Sequence, residues 1–192
     1  SDPEVLDESI DSIAREADNM KRIVEQLLLL ARIGRYMLTL EEIDVSEAIE
    51  STIDGYKLVC KTHSFSLESE PGIVAVADKN LFTECVRAVA DNAIKYSDEN
   101  TTIKFTVHAD GGYAVVKIID SGKGIAPADL PHIFDRFYRC DRARGRDKNS
   151  SGLGLTIAKS AVEMMNGTIE AESEQGVGST FTLRFPLKEK KS

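Results

Sequence analysis

The N-terminal part of the chain has apolar residues at a regular spacing. Between Glu4 and Ile33 there is neither glycine nor proline, and the apolar positions are separated alternately by four and three residues. They are Leu6, Ile10, Ile13, Ala17, Met20, Val24, Leu27 and Ala31. Repeated over about four heptads, this spacing predicts one long, coiled-coil-like helix within residues 1–34. Its apolar face should pair with another chain or with a helix outside this sequence, and packing against the edge of the next domain is the alternative.

The apolar spacing changes after Gly34. We expect a linker over residues 35–43, a compact domain over 44–188 and a short tail over 189–192. In the domain, helices are predicted after the capping residue Ser46, from Asp78 to Tyr96 and from Gly152 to Met165. Strands are predicted over 65–69, 73–77, 101–108, 113–120, 168–173 and 180–185. Since helices alternate with pairs of strands, the predicted fold class is α/β, a two-layer sandwich with a mixed, largely antiparallel sheet.

Composition and charge narrow the possible functions. The 192 residues include 24 Lys plus Arg and 32 Asp plus Glu, a net charge of −8, which argues against a general nucleic-acid binder. Cys60, Cys85 and Cys140 lack the spacing of a zinc site or a disulfide framework. The longest apolar run, Leu27 to Ala31, is far shorter than the ~20 residues of a membrane helix. The chain starts Ser-Asp-Pro-Glu without Met, so we expect it to be part of a longer protein.

The helix that begins at Asp78 carries polar residues along one face. Its residues at intervals of four, four and three are Glu84, Ala88, Asn92 and Lys95. The amide oxygen of Asn92 suits a hydrated Mg²⁺, and the ammonium of Lys95 suits a phosphate. A solvated helix face with ordinary ion pairs explains the same residues and remains the alternative.

A second candidate site follows the strand that ends at Asp120. A carboxylate at a strand end can accept a hydrogen bond from an exocyclic amine. Gly122 and Gly124 would let the backbone approach a flat ligand closely. The same residue types are common in turns, so a plain turn is the alternative.

A third candidate site is the helix start Gly152-Leu153-Gly154-Leu155. Free backbone N–H groups and the positive end of the helix dipole make such a start an anion site. No Walker A loop, GxGxxG or His-Arg-Asp kinase pattern is present, and a glycine-capped helix is the alternative. The preceding loop is basic and predicts a lid that places positive charge on phosphates, with a solvated loop as the alternative. Its cations are Arg142, Arg144, Arg146 and Lys148.

In this order, the segments resemble the ATP-binding catalytic domain of two-component sensor histidine kinases, in the gyrase, chaperone, histidine kinase and mismatch-repair ATPase superfamily. The resemblance covers about residues 44–187. It rests on Asn92-Ala-Ile-Lys95-Tyr96, Asp120-Ser-Gly122-Lys-Gly124, Phe134 to Arg139, Gly152-Leu-Gly154-Leu155 and Gly176-Val-Gly178-Ser-Thr-Phe181. The stretch Leu27 to Arg32 also resembles the end of the family's second dimerisation helix.

The resemblance implies a Bergerat-type ATP-binding fold, with helices on one face of a mixed sheet, and ATP and Mg²⁺ as cofactors. It implies catalytic roles for Asn92, Lys95 and Arg139, a metal contact from Asn92 and an adenine contact from Asp120. The implied nucleotide-binding residues are Asn92, Lys95, Tyr96, Asp120, Gly122, Gly124, Ile125, Arg139, Gly152, Leu153, Gly154, Leu155 and Thr180.

The implied function is transfer of the ATP γ-phosphate to a histidine on a dimerisation helix outside this sequence, for relay to a response-regulator aspartate. The implied partners are a second copy, through the N-terminal helix, and a receiver domain, but no nucleic acid. The chain would be the cytoplasmic part of a bacterial membrane protein.

This sequence departs from the family pattern at two points. Ala88 replaces a second asparagine, for which Glu84 is a partial substitute with a catalytic role. In addition, His63, His108 and His132 lack the setting of a phosphoacceptor. One alternative is therefore an ATP-binding regulatory module with weak or no transferase activity, and another is a different ATPase of the same fold.

Overall fold

The computed structural model describes residues 37–140 and 151–188, together with ten isolated positions between 10 and 28. In the two continuous stretches, three α-helices and seven strands follow one another along the chain. They are β1 (Leu40–Asp44), α1 (Val45–Val59), β2 (Ser64–Ser69), β3 (Val74–Asp78), α2 (Lys79–Tyr96), β4 (Thr102–Asp110), β5 (Tyr113–Asp120), a 3₁₀ turn (Leu130–His132), α3 (Gly154–Met164), β6 (Thr168–Glu174) and β7 (Gly178–Pro186).

The main sheet has five strands in the order β2-β4-β5-β7-β6. The β2–β4 pair is parallel and the other three pairs are antiparallel. A separate antiparallel pair, β1–β3, is joined to the end of β7 by a bridge between Ala75 and Leu187. The predicted α/β class with a mixed, largely antiparallel sheet is therefore confirmed.

The core lies between the helices and one face of the sheet. Alternate residues of β4 and β5 point toward the helices, and Ile103, Phe105 and Ile118 are fully buried there. Phe82 of α2 packs on Phe185 of β7, with ring centroids 4.7 Å apart. These apolar contacts hold α2 in place against the sheet.

The opposite face of the sheet is polar. It carries cross-strand ion pairs between Lys104 and Glu68 and between Arg184 and Glu170, each 2.7 Å long. Opposite charges placed side by side suit a solvated face. In the described part of the chain, the helices therefore cover one face of the sheet, as the resemblance implied.

Helix α2 begins where the sequence predicts. Asp78 Oδ1 accepts hydrogen bonds of 3.1 Å from the backbone N–H groups of Asn80 and Leu81, which would otherwise lack partners. The helix ends at Tyr96, where the Ser97 hydroxyl donates to the Ala93 carbonyl at 2.7 Å.

The start of α1 differs from the prediction. Its capping residue is Asp44, whose carboxylate accepts from Glu47 N–H at 3.1 Å, and Ser46 lies inside the first turn. The predicted linker over 35–43 is also wrong in part, because β1 begins at Leu40. Ile43 is the one buried residue of β1, so the strand has no apolar alternation by which to find it.

Helix α3 begins at Gly154, two residues after the prediction, and is followed by Asn166 with a φ of 57°. The ten described positions between 10 and 28 are all helical, but the continuous helix predicted over 1–34 lies otherwise outside the described residues. The tail over 189–192 is outside them as well. Within the described parts of the chain, no helix combines the length and apolar character needed to cross a membrane.

Candidate functional site

Asp120 is a buried carboxylate at the end of the central strand β5. Its residue is 7% exposed, and its partner in the ladder is Ser179 of β7. Asp120 Oδ1 accepts a 2.8 Å hydrogen bond from Gly122 N–H, and Ser179 contributes both its N–H and its hydroxyl. Burial raises the pKa of Asp120 above its ordinary value of 3.8, and these hydrogen bonds offset part of that rise.

The hydrogen bonds to Asp120 leave room for one more donor. An ionised carboxylate offers about four acceptor positions. The described donors to Asp120 are the Gly122 N–H, the Ser179 N–H and the Ser179 hydroxyl. A buried charge is stabilised by filling its remaining position, so Asp120 suits a ligand that brings an N–H group.

The loop after Asp120 rests on the end of α2. Lys123 N–H donates to the Tyr96 carbonyl at 3.1 Å. A Cβ placed on Gly122 would lie 2.3 Å from the same carbonyl oxygen, so only glycine permits this approach. The structure therefore brings together two of the predicted segments, the end of α2 that carries Asn92 and the first glycine loop.

The turn between β6 and β7 closes the other side of this loop. Gly124 has a φ of +61°, and a Cβ there would lie 2.0 Å from the Glu174 carbonyl oxygen. Gly176 N–H donates to the Lys123 carbonyl at 2.8 Å. A Cβ on Gly178 would lie 2.1 Å from the carbonyl oxygen of Asp120. Close contact with backbone atoms explains glycine at positions 124 and 178.

The start of α3 is tied to the segment that precedes the basic loop. Phe137 N–H donates to the Gly152 carbonyl at 3.1 Å, and the Thr156 hydroxyl donates to the Phe134 carbonyl at 3.0 Å. A Cβ on Gly154 would meet no atom within 4 Å, so the space beside this first residue of α3 is open, whereas a Cβ on Gly152 would lie 2.8 Å from the Tyr138 carbonyl oxygen. The helix start thus has the exposed backbone that an anion needs.

Comparison with known proteins identifies this arrangement. Residues 77–189 match the family model described as "Histidine kinase-, DNA gyrase B-, and HSP90-like ATPase". The chain belongs to this ATPase family.

Relatives in the family are named as sensor kinases. The chain is 35% identical over 190 residues to the signal transduction histidine-protein kinase ArlS of Staphylococcus epidermidis, covering 97% of this chain and 41% of ArlS. It is 33% identical over 184 residues to the sensor histidine kinase YkoH of Bacillus subtilis, covering 95% of this chain and 40% of YkoH. It therefore spans about two-fifths of these relatives. The ATP-binding catalytic domain of a histidine kinase is present in this chain.

Solved structures have the same fold. Full-length ShkA, solved in complex with AMPPNP, superposes with a TM-score of 0.80 at 23% identity, over 96% of this chain and 40% of ShkA. At this level of identity the similarity concerns the fold alone.

Only part of the polar face predicted on α2 lies near the candidate nucleotide site beside Asp120. Asn92 and Lys95 are half-buried, and Lys95 Nζ lies 5.0 Å from the centroid of the Tyr96 ring. Glu84 is exposed and stands eight residues before Asn92, about 12 Å along the helix axis. Helical side chains lean toward the N-terminus, so we expect the Glu84 carboxylate to lie away from Asn92, which argues against Glu84 as a substitute for the asparagine replaced by Ala88.

Thr180 lies on a different side of the sheet from the one that its predicted role in nucleotide binding requires. In the ladder Thr180 faces Ile119, while the preceding Ser179 faces Asp120. Since neighbouring residues of a strand point to opposite faces, Thr180 lies on the polar face of the sheet and Ser179 at the site. The ladder therefore brings Ser179, the residue before the predicted Thr180, beside Asp120.

The remaining predicted residues lie in the segments already described. Ile125 and Leu155 are half-buried and pack against the core, whereas Leu153 is fully buried. Arg139 is half-buried, two residues after Phe137. The basic residues of the predicted lid, at 142–148, lie outside the described residues.

Proposed function

We propose that this chain binds Mg·ATP and supplies its γ-phosphate to a histidine of a dimerisation domain, as the catalytic part of a two-component sensor kinase. The observation that carries the proposal is the buried Asp120 carboxylate, with an acceptor position left open beside a loop of glycines. Adenine presents an exocyclic amine that can donate to Asp120. Guanine presents a carbonyl oxygen in that place, which a carboxylate repels.

The phosphates would lie toward α2 and α3. Lys95 provides a point charge, and the start of α3, open at Gly154, provides backbone N–H groups. Contact between the two helices supports this arrangement, because Cys85 Sγ of α2 donates to the Ala158 carbonyl of α3 at 3.5 Å. We assign Arg139 to the terminal phosphate and Tyr96 to the flank of the nucleotide.

Magnesium fits the site only as a partner of the nucleotide. Within the described residues, no group of three His, Cys, Asp or Glu side chains could hold a metal ion. Mg²⁺ commonly keeps several waters and binds to phosphates with few protein ligands. Asn92 would thus be its protein ligand, and the ion would neutralise charge on the phosphates.

None of the chain's three histidines lies on an α-helix, the setting of the acceptor that the resemblance implies. His108 lies on β4, and His132 Nδ1 is 2.9 Å from Asp135 Oδ2, at the 3₁₀ turn. His63 Nδ1 lies 2.9 Å from the Thr62 hydroxyl, just before β2. We propose instead that the acceptor histidine belongs to a dimerisation helix outside this sequence, and that a receiver-domain aspartate takes the phosphate next.

Self-association through the N-terminal helix is part of the proposal. The described seam positions Ile10, Ile13, Met20 and Val24 are 53–70% exposed in the single chain. Such an apolar stripe is stabilised when a second helix covers it, by about 25 cal/mol per Å². We place the chain on the cytoplasmic side of a membrane-bound parent, by analogy with the sensor kinases to which it is similar.

Two measurements test the proposed function. Calorimetric titration should give Mg-dependent ATP binding, and D120N should weaken the binding of adenine nucleotides more than that of guanine nucleotides. The protein mixed with Mg·ATP and a separately produced dimerisation domain should then place acid-labile phosphate on its histidine. Binding without transfer would favour the regulatory module, which the names of the relatives do not favour.

A further inference from the structure

The hydroxyl of Ser173, in β6, links the glycine loop to the β6–β7 turn. Ser173 Oγ accepts from Ile125 N–H at 2.8 Å and donates to the Gly178 carbonyl at 2.8 Å. It also lies 3.0 Å from the hydroxyl oxygen of Ser179, its partner in the ladder. One side chain therefore touches the end of the loop that begins at Asp120, and also Ser179, which holds the Asp120 carboxylate.

The direction is fixed for two of the three hydrogen bonds of Ser173, those with Ile125 and Gly178. The Gly178 carbonyl can only accept, so Ser173 is its donor. The Ser179 hydroxyl gives its proton to the negatively charged Asp120. The two hydroxyl oxygens lie 3.0 Å apart, and either can be the donor, so this contact shares one of these two protons. The result is a continuous chain from the Ile125 N–H through two hydroxyls to the Asp120 carboxylate.

We propose that Ser173 is a positioning residue that sets the preference of the site for adenine over guanine. It touches no base itself and acts through Ser179 and Asp120. The proposal rests on the proposed function, in which Asp120 receives the exocyclic amine of the base. Holding Ser179 in one rotamer keeps its hydroxyl on Asp120 and keeps the remaining acceptor position of the carboxylate pointed at the ligand.

Loss of the Ser173 hydroxyl removes these constraints together. The Ile125 N–H and the Gly178 carbonyl each lose a partner, and so does the Ser179 hydroxyl. The backbone around them is packed too tightly to find replacements, as the close approaches at Gly124 and Gly178 indicate. The Asp120 carboxylate should then turn more freely, which weakens discrimination between bases while the phosphate contacts remain.

The test compares affinities for Mg·ADP and Mg·GDP, which share ribose and phosphates and differ in the base. In S173A, we expect ADP affinity to fall about tenfold, GDP affinity to change less than twofold, and the ratio to fall accordingly. S173T keeps the hydroxyl and should restore the ratio. The control is S66A, which removes the hydroxyl of an exposed serine on the edge strand β2 and should leave both affinities unchanged.

Equal losses for both nucleotides, or an unchanged ratio in S173A, would overturn the proposal. If S173A does not fold, S173C retains the size of the side chain with much weaker hydrogen bonding, and its ratio decides the question in the same way. The proposed function fails separately, if the wild-type chain does not bind adenine nucleotides at all. If the wild type prefers ADP but the ratio of ADP to GDP affinity does not change in S173A, the proposed function is retained. Ser173 then has no role in the preference for adenine.

Discussion

The Tyr56 hydroxyl of α1 donates a 2.6 Å hydrogen bond to Asp91 Oδ1 of α2, one residue before Asn92. Tyr56 is 8% exposed and stacks on Phe65 of β2 with ring centroids 5.5 Å apart. Burial first, and then the neighbouring Asp91 carboxylate, raise the pKa of Tyr56, so the hydroxyl keeps its proton. This bond ties the helix that carries Asn92 to the edge of the sheet.

Tyr56→Phe should lower the free energy of unfolding by about 1 kcal/mol, because the hydroxyl's hydrogen bonds to Asp91 and, at 3.3 Å, to the Arg87 carbonyl are lost while the ring remains packed. Asp91 is exposed and regains water, so the loss should not be larger. Chemical denaturation measures it. The matched control is Tyr113→Phe, at a half-buried position on β5, which should change stability less. Equal effects at the two tyrosines would contradict the role given to the Asp91 bond.

Asn92→Ala should abolish Mg-dependent ATP binding and leave the fold intact, since Asn92 is half-buried and its removal opens no large cavity. Titration calorimetry with and without Mg²⁺ measures the effect. The control is Glu84→Ala on the same helix, which should bind Mg·ATP like the wild type. Unchanged binding in Asn92→Ala would contradict the metal role, and a loss in Glu84→Ala would restore Glu84 as a site residue.

The sequence predicts the framework of this site better than its details. Asp78 as helix cap, the hairpin of β4 and β5, and Asp120 at a strand end follow from capping, periodicity and turn residues. The register between β5 and β7 does not, and a shift of one residue is enough to exchange Thr180 for Ser179. The hydrogen bonds of Ser173 and Tyr56 cannot be predicted from the sequence either, because their partners are 48 and 35 residues away along the chain.

Gly124→Ala should destabilise the domain strongly. A side chain there meets both a positive φ of +61° and the Glu174 carbonyl 2.0 Å away. Gly111 is the matched control, because its φ is +57° and nothing lies within 4 Å of an added Cβ. Gly111→Ala should cost about 1–2 kcal/mol for the backbone conformation alone. Gly124→Ala should cost clearly more and should also weaken ATP binding.

Thermal and chemical unfolding of the two glycine variants give the comparison. Similar losses of stability would mean that the loop moves away from the β6–β7 turn at little cost. That result would contradict the tight backbone packing proposed to hold Asp120 in place.

Removal of residues 1–33 should convert a dimer to a monomer and leave ATP affinity unchanged. The reason is that the exposed apolar positions of the N-terminal helix would be lost with it, while the family site lies entirely within residues 77–189. Light scattering coupled to gel filtration, over a range of concentrations, measures the mass. The double change Ile13→Glu and Val24→Glu in the full chain should act in the same direction. A dimer that survives both changes would place the interface elsewhere.

Asp120 should make ligand-free stability and nucleotide affinity respond to pH in opposite directions. Its folded-state pKa is raised above 3.8, chiefly by burial, so the folded protein holds the proton more tightly than the unfolded chain does. Between 3.8 and the raised pKa, the contribution of Asp120 to stability therefore falls as the pH rises. Adenine binding needs the ionised carboxylate, so affinity should instead fall as the pH drops through the raised pKa.

The variant Asp120→Asn removes the titrating group and should remove both pH-dependent components. Denaturation and calorimetric titration of the wild type and the variant, at matched pH values from about 4 to 8, measure the two effects, and the difference between the proteins isolates Asp120. A wild type and variant with parallel pH profiles would mean that another carboxylate governs binding. The same Asp120 carboxylate is buried, which costs stability, and accepts the adenine amine. Asp120→Asn should therefore remove both the penalty on stability and the capacity to bind adenine.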